Sequence, residues 1–367
     1  MVLSILISVM VVSLIGAGLA AVASISEYFF ANYGECEITI NNERTLKVEG
    51  GQNILSYLIQ EKIFIPSACG GRGTCGLCKL KVLDGAGPLL PTEEPYLEKD
   101  EIESNVRLSC QVKVRNDVKI EIPKELFAIR EYTCVCERIL DLTHNIKEFR
   151  FRLKEPEIID YEPGHYVQLL TPVYEKSSEE VYRAYSISSD PADKTIIELV
   201  IKLVPGGICT TYCFEYLNIG DEVKVNGPYG DFLLQDTDAP IVFIAGGSGM
   251  APVKCMLHHL KNMNSKREIV YYFGGNHSGD IFYTELMEEF EKEMHNFKFV
   301  PVVSHADDGT KIGRRLGLVT DAVQKDITDA SKYEAYLCGS PGMVDATEKI
   351  LIDHGIHPEN IFYDKYD

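Results

Sequence analysis

Hydrophobic and polar positions fall into four successive rhythms along the chain, and each predicts a different kind of structure. The first 26 residues, MVLSILISVMVVSLIGAGLAAVASIS, carry no charged side chain, and Glu27 is the first to appear. At roughly 1.5 Å per residue such a helix spans the roughly 30 Å hydrocarbon layer, so residues 1–26 are expected to form an N-terminal transmembrane helix. A cleaved signal peptide is the competing reading, because Ala21-Val22-Ala23 has the small-x-small form of a cleavage site. The missing positive n-region and a run longer than roughly 7–15 apolar residues count against it. No flanking Lys or Arg orients the segment.

From 33 to 127 the pattern is short and mixed. CEITINNERTLKVEGG reads as two alternating strands joined at Asn41-Asn42, and NILSYLIQEK sets Ile54, Leu55, Leu58 and Ile59 at helical spacing. Strands are expected again at KLKVL, LSCQVKV and VKIEIP, with a helix-like close at PKELFAI. Residues 128–236 show strand-length runs at regular intervals separated by turn residues, the pattern of an antiparallel barrel. Residues 237–367 alternate apolar runs (IVFIA, IVYYFG, FKFVPVV, YEAYLCG, NIFYD) with amphipathic segments such as FYTELMEEFEKEMH. That alternation predicts a doubly wound parallel α/β sheet with its ligand at the carboxyl ends of the strands.

Composition adds exclusions. The chain has 367 residues, enough for two or three domains, and 45% hydrophobic content argues against disorder. A formal net charge of −19 gives no basic stripe for displacing counterions from nucleic acid, so no nucleic-acid partner is expected. Eleven cysteines are too few for a disulfide scaffold and too clustered to be random, which points to a metal or redox site in a reducing compartment.

Three of them stand in SACGGRGTCGLC as Cys69-x5-Cys75-x2-Cys78, and Cys110 follows in RLSCQVKV. One C-x-x-C leaves zinc open as a reading, but zinc sites more often use two knuckles. Two irons bridged by sulfides need four thiolates around an elongated group, and one loop closed by a distant fourth ligand supplies them. Glycines 70, 71, 73 and 76 allow that loop to bend and aim N–H groups at sulfur. Cys69, Cys75, Cys78 and Cys110 are therefore the expected metal ligands of a [2Fe–2S] cluster. The spacing resembles that of ferredoxin domains of the x5 type, which implies a β-grasp (α+β) fold for this part.

Further along, Arg183-Ala184-Tyr185-Ser186 resembles the R-x-Y-S/T signature of the ferredoxin–NADP reductase superfamily. The resemblance implies that Arg183 pairs with a flavin pyrophosphate, Tyr185 lies against the isoalloxazine and Ser186 sits near its hydride-accepting nitrogen. A guanidinium matches phosphate oxygens in bidentate fashion and an aromatic face buries a ring. In PGGICTTY, Gly206 and Gly207 bring backbone close, while Thr210 and Thr211 open a helix whose N–H groups receive the second phosphate. GPYGDF, from Gly227 to Phe232, resembles the element that closes the same barrel, and FAD is the flavin this superfamily implies.

In the last rhythm GGSGMAP follows the first strand, and Gly246, Gly247 and Gly249 allow close approach to a pyrophosphate. Cys338-Gly339-Ser340-Pro341 resembles the superfamily's C-G-P-P motif with Ser in place of the first Pro. The resemblance implies that Cys338 assists hydride transfer beside the nicotinamide and that Gly339 leaves room for the ring. VVSHADDG offers His305, Asp307 and Asp308 where a 2′-phosphate would need basic groups, so NADH is expected over NADPH.

Taken in order, anchor, x5 ferredoxin, flavin barrel and nicotinamide domain resemble the F subunits of sodium-translocating NADH:quinone reductases. PTEEPYLEKDEI and the ending ENIFYDKYD are similar to that family as well. Tyr366 takes the place of a terminal aromatic that covers the flavin, and the segment between QLLTP and RAYS is shorter than usual. The resemblance implies hydride transfer from NADH to FAD, then single electrons to the cluster. It also implies a single-pass protein of the bacterial inner membrane with cytoplasmic catalytic domains and membrane-subunit partners. Two alternatives are the NADH-dependent reductase of an oxygenase or other activation system and a non-catalytic cluster carrier.

Overall fold

The computed structural model describes residues 9–20, 22, 33–306 and 315–366. Of the expected anchor, residues 9–20 are helical, and the rest apart from Val22 lies outside the described residues. Among the described residues no helix is long and apolar enough to cross a membrane. The chain divides into two compact units, Met1–Ala128 and Ile129–Asp367.

The first unit holds a five-stranded mixed sheet of β1 (Glu35–Ile40), β2 (Arg44–Glu49), β3 (Lys79–Asp84), β4 (Val106–Leu108) and β5 (Val118–Glu121), in the order β2-β1-β5-β3-β4. β1 and β5 run parallel and the other pairs antiparallel, with one main helix, α1 (Ile54–Gln60), on the sheet; this is a β-grasp. Asn41 and Asn42 turn the first hairpin at φ 52° and 56°, a left-handed geometry that Asn tolerates well. The core gathers the inward residues Ile38, Ile40, Leu80, Val82, Val118 and Ile120 against Ile54, Leu55 and Leu58.

LSCQVKV departs from expectation. β4 stops at Leu108 and Ser109–Gln111 form a turn, because this backbone has a different task. The Ser109 and Val112 carbonyls accept the N–H groups of Leu55 (3.1 Å) and Ile54 (3.0 Å), two of the donors a helix start leaves unpaired. The turn therefore caps α1 and presents Cys110. A short helix, α2 (Lys99–Glu103), precedes β4.

In the second unit β6 (Arg130–Asp141), β7 (Ile146–Glu155), β8 (Tyr166–Thr171), β9 (Val181–Ser186), β10 (Ile196–Lys202) and β11 (Glu222–Tyr229) pair antiparallel in the order β10-β7-β6-β11-β8-β9. A bridge from Ile187 to Leu199, with Ser188 N–H donating to the Glu198 carbonyl at 2.8 Å, joins the two edges and closes the barrel. Alternate residues such as Cys134, Cys136, Phe149, Phe151, Val167 and Leu169 fill its interior. Helix α3 (Ile208–Glu215) follows β10.

The remaining strands, β12 (Ile241–Gly246), β13 (Ile269–Gly275), β14 (Phe297–Val303), β15 (Arg315–Leu316), β16 (Glu334–Gly339) and β17 (Ile361–Lys365), form a parallel sheet ordered β15-β14-β13-β12-β16-β17. All five expected strands are present, and the two-residue β15 is an addition. Ile241, Phe243 and Ala245 pack on one face with Met250 and Leu257 of α4 (Met250–Asn262) and Phe290 of α5 (Thr284–Glu293). Val242 and Ile244 pack on the other with Val323 of α6 (Val319–Asp326) and Leu351 of α7 (Pro341–Asp353). Both faces are buried, which is why the strands read as continuous apolar runs.

A buried ion cluster fastens the barrel to this sheet. Lys254 of α4, 4% exposed, donates to Glu148 of β7 at 2.8 Å and Glu198 of β10 at 2.7 Å. Arg138 of β6 bonds the other oxygens of both carboxylates, at 2.6 and 3.0 Å. Burial alone would raise the Glu148 carboxyl, yet Lys254, the Tyr283 hydroxyl and Arg138 outweigh it and hold it below the usual range.

Candidate functional site

The second unit brings the rim of the barrel to the switch point of the sheet. In the sheet Cys338 of β16 lies between Ala245 of β12 and Asp364 of β17, at the carboxyl ends of these strands. Gly249 permits this: a Cβ there would stand 2.2 Å from the Cys338 carbonyl oxygen. Gly339 follows at φ 146°, Ser340 takes the N-cap position of α7 and Pro341 begins it, so the Ser-Pro variant of the motif makes an ordinary helix start. Gly246 and Gly247 open the first loop, and the Met343 side chain lies against both Gly246 and Gly339.

Ser186, at the end of β9, reaches across from the barrel. Its hydroxyl is 2.7 Å from the Tyr366 hydroxyl and donates to Asp364 Oδ2 at 3.4 Å, while the Tyr366 N–H donates to the Gly339 carbonyl at 2.8 Å. Burial pushes the Cys338 thiol well above its ordinary range, with Asp364 adding and the Tyr366 hydroxyl opposing, so it stands as a neutral S–H. It is suited to packing and donating, not to nucleophilic attack.

Asp364 carries no motif of its own in the sequence; its only signal is its place two residues before Tyr366. Burial pushes its carboxyl up to about 6 against the Ser186 hydroxyl bond. A carboxyl raised above its unfolded value, about 3.9, favours folding fully below that value and loses the contribution as pH rises through the folded value. Between about pH 4 and pH 6, unfolding free energy should therefore fall in the natural protein by no more than about 3 kcal/mol relative to Asp364→Asn. Urea titrations of both proteins across that window check it, and parallel pH curves would refute the assignment.

On the barrel, Arg183, Tyr185 and α3 share one corner. The Tyr185 hydroxyl interacts with Cys209 of α3, and Arg183 acts electrostatically on both. Gly207 caps α3, Gly206 precedes it at φ 72°, and the Tyr174 hydroxyl donates to the Ile208 carbonyl at 2.7 Å. The Thr210 hydroxyl is spent on the loop, 3.2 Å from both the N–H and the carbonyl of Val204. Thr211 is buried beside it. Any phosphate at this corner would meet backbone N–H groups and Arg183, not the Thr210 hydroxyl. Cys134 and Cys136 lie in the barrel core, where burial raises both thiols, to about 12 and about 11. His305 lies beyond β14 with its Nδ1 3.0 Å from the Ser304 hydroxyl; Asp307 and Asp308 lie outside the described residues.

In the first unit the four expected ligands come together as two pairs. Cys75 Sγ donates to Cys69 Sγ at 3.4 Å, the thiols of Cys110 and Cys78 interact in the same sense with Cys110 as donor, and Cys69 acts electrostatically on both members of the second pair. The bond from Cys75 draws the Cys69 thiol down to about 4, and that from Cys110 draws Cys78 down to about 7. Among the described residues no three or more Cys, His, Asp or Glu groups gather as a cage for a single ion. Two thiol pairs have the number and chemistry of donors that a group of two bridged irons would need. Gly70, Gly71, Gly73 and Gly76 all have left-handed φ, between 62° and 85°, so the wrap of the loop depends on them.

A closed antiparallel barrel whose Arg-x-Tyr-Ser rim meets a Cys-Gly turn at the switch point of a parallel sheet defines a flavin-dependent pyridine-nucleotide oxidoreductase, here joined to a four-cysteine β-grasp. Three family descriptions match in this order: a 2Fe-2S iron-sulfur cluster binding domain over 38–115, an oxidoreductase FAD-binding domain over 128–233 and an oxidoreductase NAD-binding domain over 243–349. The F subunit of the Na(+)-translocating NADH-quinone reductase of Marinomonas sp. strain MWYL1 is 32% identical over 99% of both chains, and that of Neisseria meningitidis (strain 053442) 33% over 91% of this chain and 92% of its own. The chain belongs to the family of F subunits of these reductases. It is an NADH-dependent flavin and iron–sulfur oxidoreductase using FAD and a [2Fe–2S] cluster. Among solved structures, the Amycolatopsis cytochrome P450 reductase GcoB is similar with a TM-score of 0.71 and 28% identity, covering 90% of this chain and 98% of its own. A ferredoxin reductase in carbazole 1,9a-dioxygenase shares the fold, at TM-score 0.68 and 22% identity over 91% of this chain and 98% of its own.

Proposed function

We propose that this chain is the electron-input subunit of a membrane complex that reduces quinone and moves Na+, itself moving no ion. The observation that carries the reading is the convergence of Ser186, Asp364, Tyr366 and Cys338 in a chain that also holds the paired thiols of the cluster loop. When bound, FAD accepts two electrons with a hydride and releases them singly, and a [2Fe–2S] group carries them one at a time.

The residues divide that work by position. We assign 33–127 to the cluster, 128–236 to FAD and 237–367 to NADH. Arg183, Gly206, Gly207 and the backbone N–H groups of the first turn of α3, up to Thr210, would hold the FAD phosphates, with Thr211 packed behind them and Tyr185 toward the ring. Gly246, Gly247 and Gly249 admit the nucleotide pyrophosphate, while Cys338 and Gly339 bound the nicotinamide position. Tyr366 fills the space beside Ser186 until the nicotinamide takes it, and Asp364 accepts a hydrogen bond from the Ser186 hydroxyl, which orients that hydroxyl. Cys69, Cys75, Cys78 and Cys110 would hold the two irons.

Residues 1–26 anchor the chain in the bacterial inner membrane, with both units on the cytoplasmic side where NADH is found. Similarity to the Marinomonas relative extends over 99% of the chain, which supports counting this segment as part of the family's plan. The partners are then the other membrane subunits of the complex. A second reading, the reductase of an oxygenase system, is favoured by the likeness to the P450 reductase GcoB.

Anaerobic titration of the purified protein with NADH tests the electron path. Flavin absorbance should bleach and a rhombic [2Fe–2S] paramagnetic signal should appear together. A reducible flavin with stoichiometric iron and sulfide but no signal would overturn NADH-driven delivery to the cluster. Membranes containing the chain should then show Na+-stimulated quinone reduction, which an oxygenase reductase would not.

A further inference from the structure

Gln111 follows the fourth cysteine, at the edge of the turn that caps α1. Its backbone is fixed, with the N–H donating to the Leu108 carbonyl at 2.8 Å. Its side-chain amide has a different partner at each end. Nε2 donates to Cys110 Sγ at 3.6 Å, a sulfur-length contact, and Oε1 accepts from the Thr92 hydroxyl at 3.0 Å. Thr92 thus decides which end faces the sulfur, since a flipped amide would turn its oxygen toward the thiolate.

Two further features hold this arrangement. Gly73 of the cluster loop has φ 75°, and a Cβ there would come within 2.4 Å of Gln111 Nε2, so the loop leaves room for the amide. Thr92 sits next to Glu93, whose fully buried carboxylate accepts from Arg107 Nε (2.9 Å), Leu108 N–H (2.9 Å) and Leu90 N–H (3.1 Å). Arg107 in turn donates to the Gly87 and Pro88 carbonyls, both at 3.0 Å. The connection between the third and fourth cysteines is thereby pinned where Thr92 can reach the amide.

We propose that Gln111 is a positioning residue that sets the reduction potential of the cluster: its amide N–H donates to the Cys110 sulfur, and Thr92 holds the amide in that orientation. The inference rests on the reading of Cys110 as a ligand. An N–H···S bond favours the more electron-rich, reduced state, because the added electron raises charge on the sulfurs. Losing one net hydrogen bond should change the reduced-to-oxidised ratio at fixed potential by about two- to tenfold, tenfold being about 59 mV for a one-electron couple.

The test is a redox titration of the full chain followed by the paramagnetic signal of the cluster. Gln111→Leu is expected to keep full iron content and the rhombic signal while titrating at lower potential. Gln111→Glu should fall further, having lost the donor and gained a negative charge. Thr92→Val, at an exposed position that leaves folding intact, should fall in the same direction by less, and Gln111→Lys, which restores a donor, should return to or exceed the starting potential. A Gln111→Leu or Thr92→Val protein titrating with the natural one overturns the inference. Cys110→Ser separates it from the reading beneath: an altered cluster spectrum in that variant with no shift in Gln111→Leu sinks only the role of Gln111, and an unaltered spectrum in Cys110→Ser sinks the ligand assignment itself.

Discussion

Alanine at Cys78 or Cys110 should remove the visible and paramagnetic signature of the cluster while NADH still bleaches the flavin at the rate of the natural protein. Both thiols are buried, 1% and 6% exposed, beside a loop held in left-handed turns by glycine, so bulk water has little access to replace a lost sulfur. The reductase half is spared because Cys69, Cys75, Cys78 and Cys110 all belong to Met1–Ala128, whereas Arg183, Ser186, Cys338 and Tyr366 belong to the compact unit that begins at Ile129. Each unit has its own apolar core. Iron and sulfide analysis beside stopped-flow flavin absorbance checks both halves of the expectation. A full cluster spectrum in every cysteine variant would refute the ligand set, and flavin reduction lost with the cluster would refute the independence of the units.

Lys254→Met should cost the second unit about 3–5 kcal/mol, the usual penalty for taking one partner from a buried ion pair. The lysine stands between Glu148 and Glu198, which are 1% and 7% exposed, and its loss strands two carboxylates in a medium that solvates them poorly. Arg138 remains on both and Arg150 on Glu198, but both guanidiniums are partly exposed to water. Adding Glu148→Gln and Glu198→Gln to Lys254→Met should recover much of the loss, because neutral amides remove the charge that required pairing. The chain has 20 tyrosines and no tryptophan, so urea unfolding is followed by tyrosine emission and circular dichroism. A midpoint for Lys254→Met within error of the natural protein would show that Arg138 and Arg150 neutralise the cluster without the lysine.

The convergence of the reductase half explains why its sequence signals are scattered. Ser186 and Tyr366 are 180 residues apart, and Ser186 and Asp364 178 apart, yet they form one hydrogen-bonded group. Ser186 ends β9, and Asp364 and Tyr366 stand in and just beyond the last residues of β17, where side chains gather at the carboxyl edge of the sheet. The same logic places Gln111 and Thr92 beside the thiols, although neither carries a recognisable motif.

By itself the sequence determined what repeats locally: alternation in Glu35–Ile40, continuous apolar runs in Ile241–Gly246 and Glu334–Gly339, and the x5 and x2 intervals that set three thiols on one loop. These were legible because period and spacing depend only on neighbours along the chain. The tertiary structure decided what depends on neighbours in space. LSCQVKV alternates like a strand, but its carbonyls are taken by the first N–H groups of α1, so it turns instead. Lys254 lies in an apolar helix stretch because two carboxylates from other strands meet it there, and Asp364 titrates near 6 because burial, not its own chemistry, sets the energy of its charge. Hydrogen-bond partners and desolvation are properties of the assembled fold, and no local pattern encodes them.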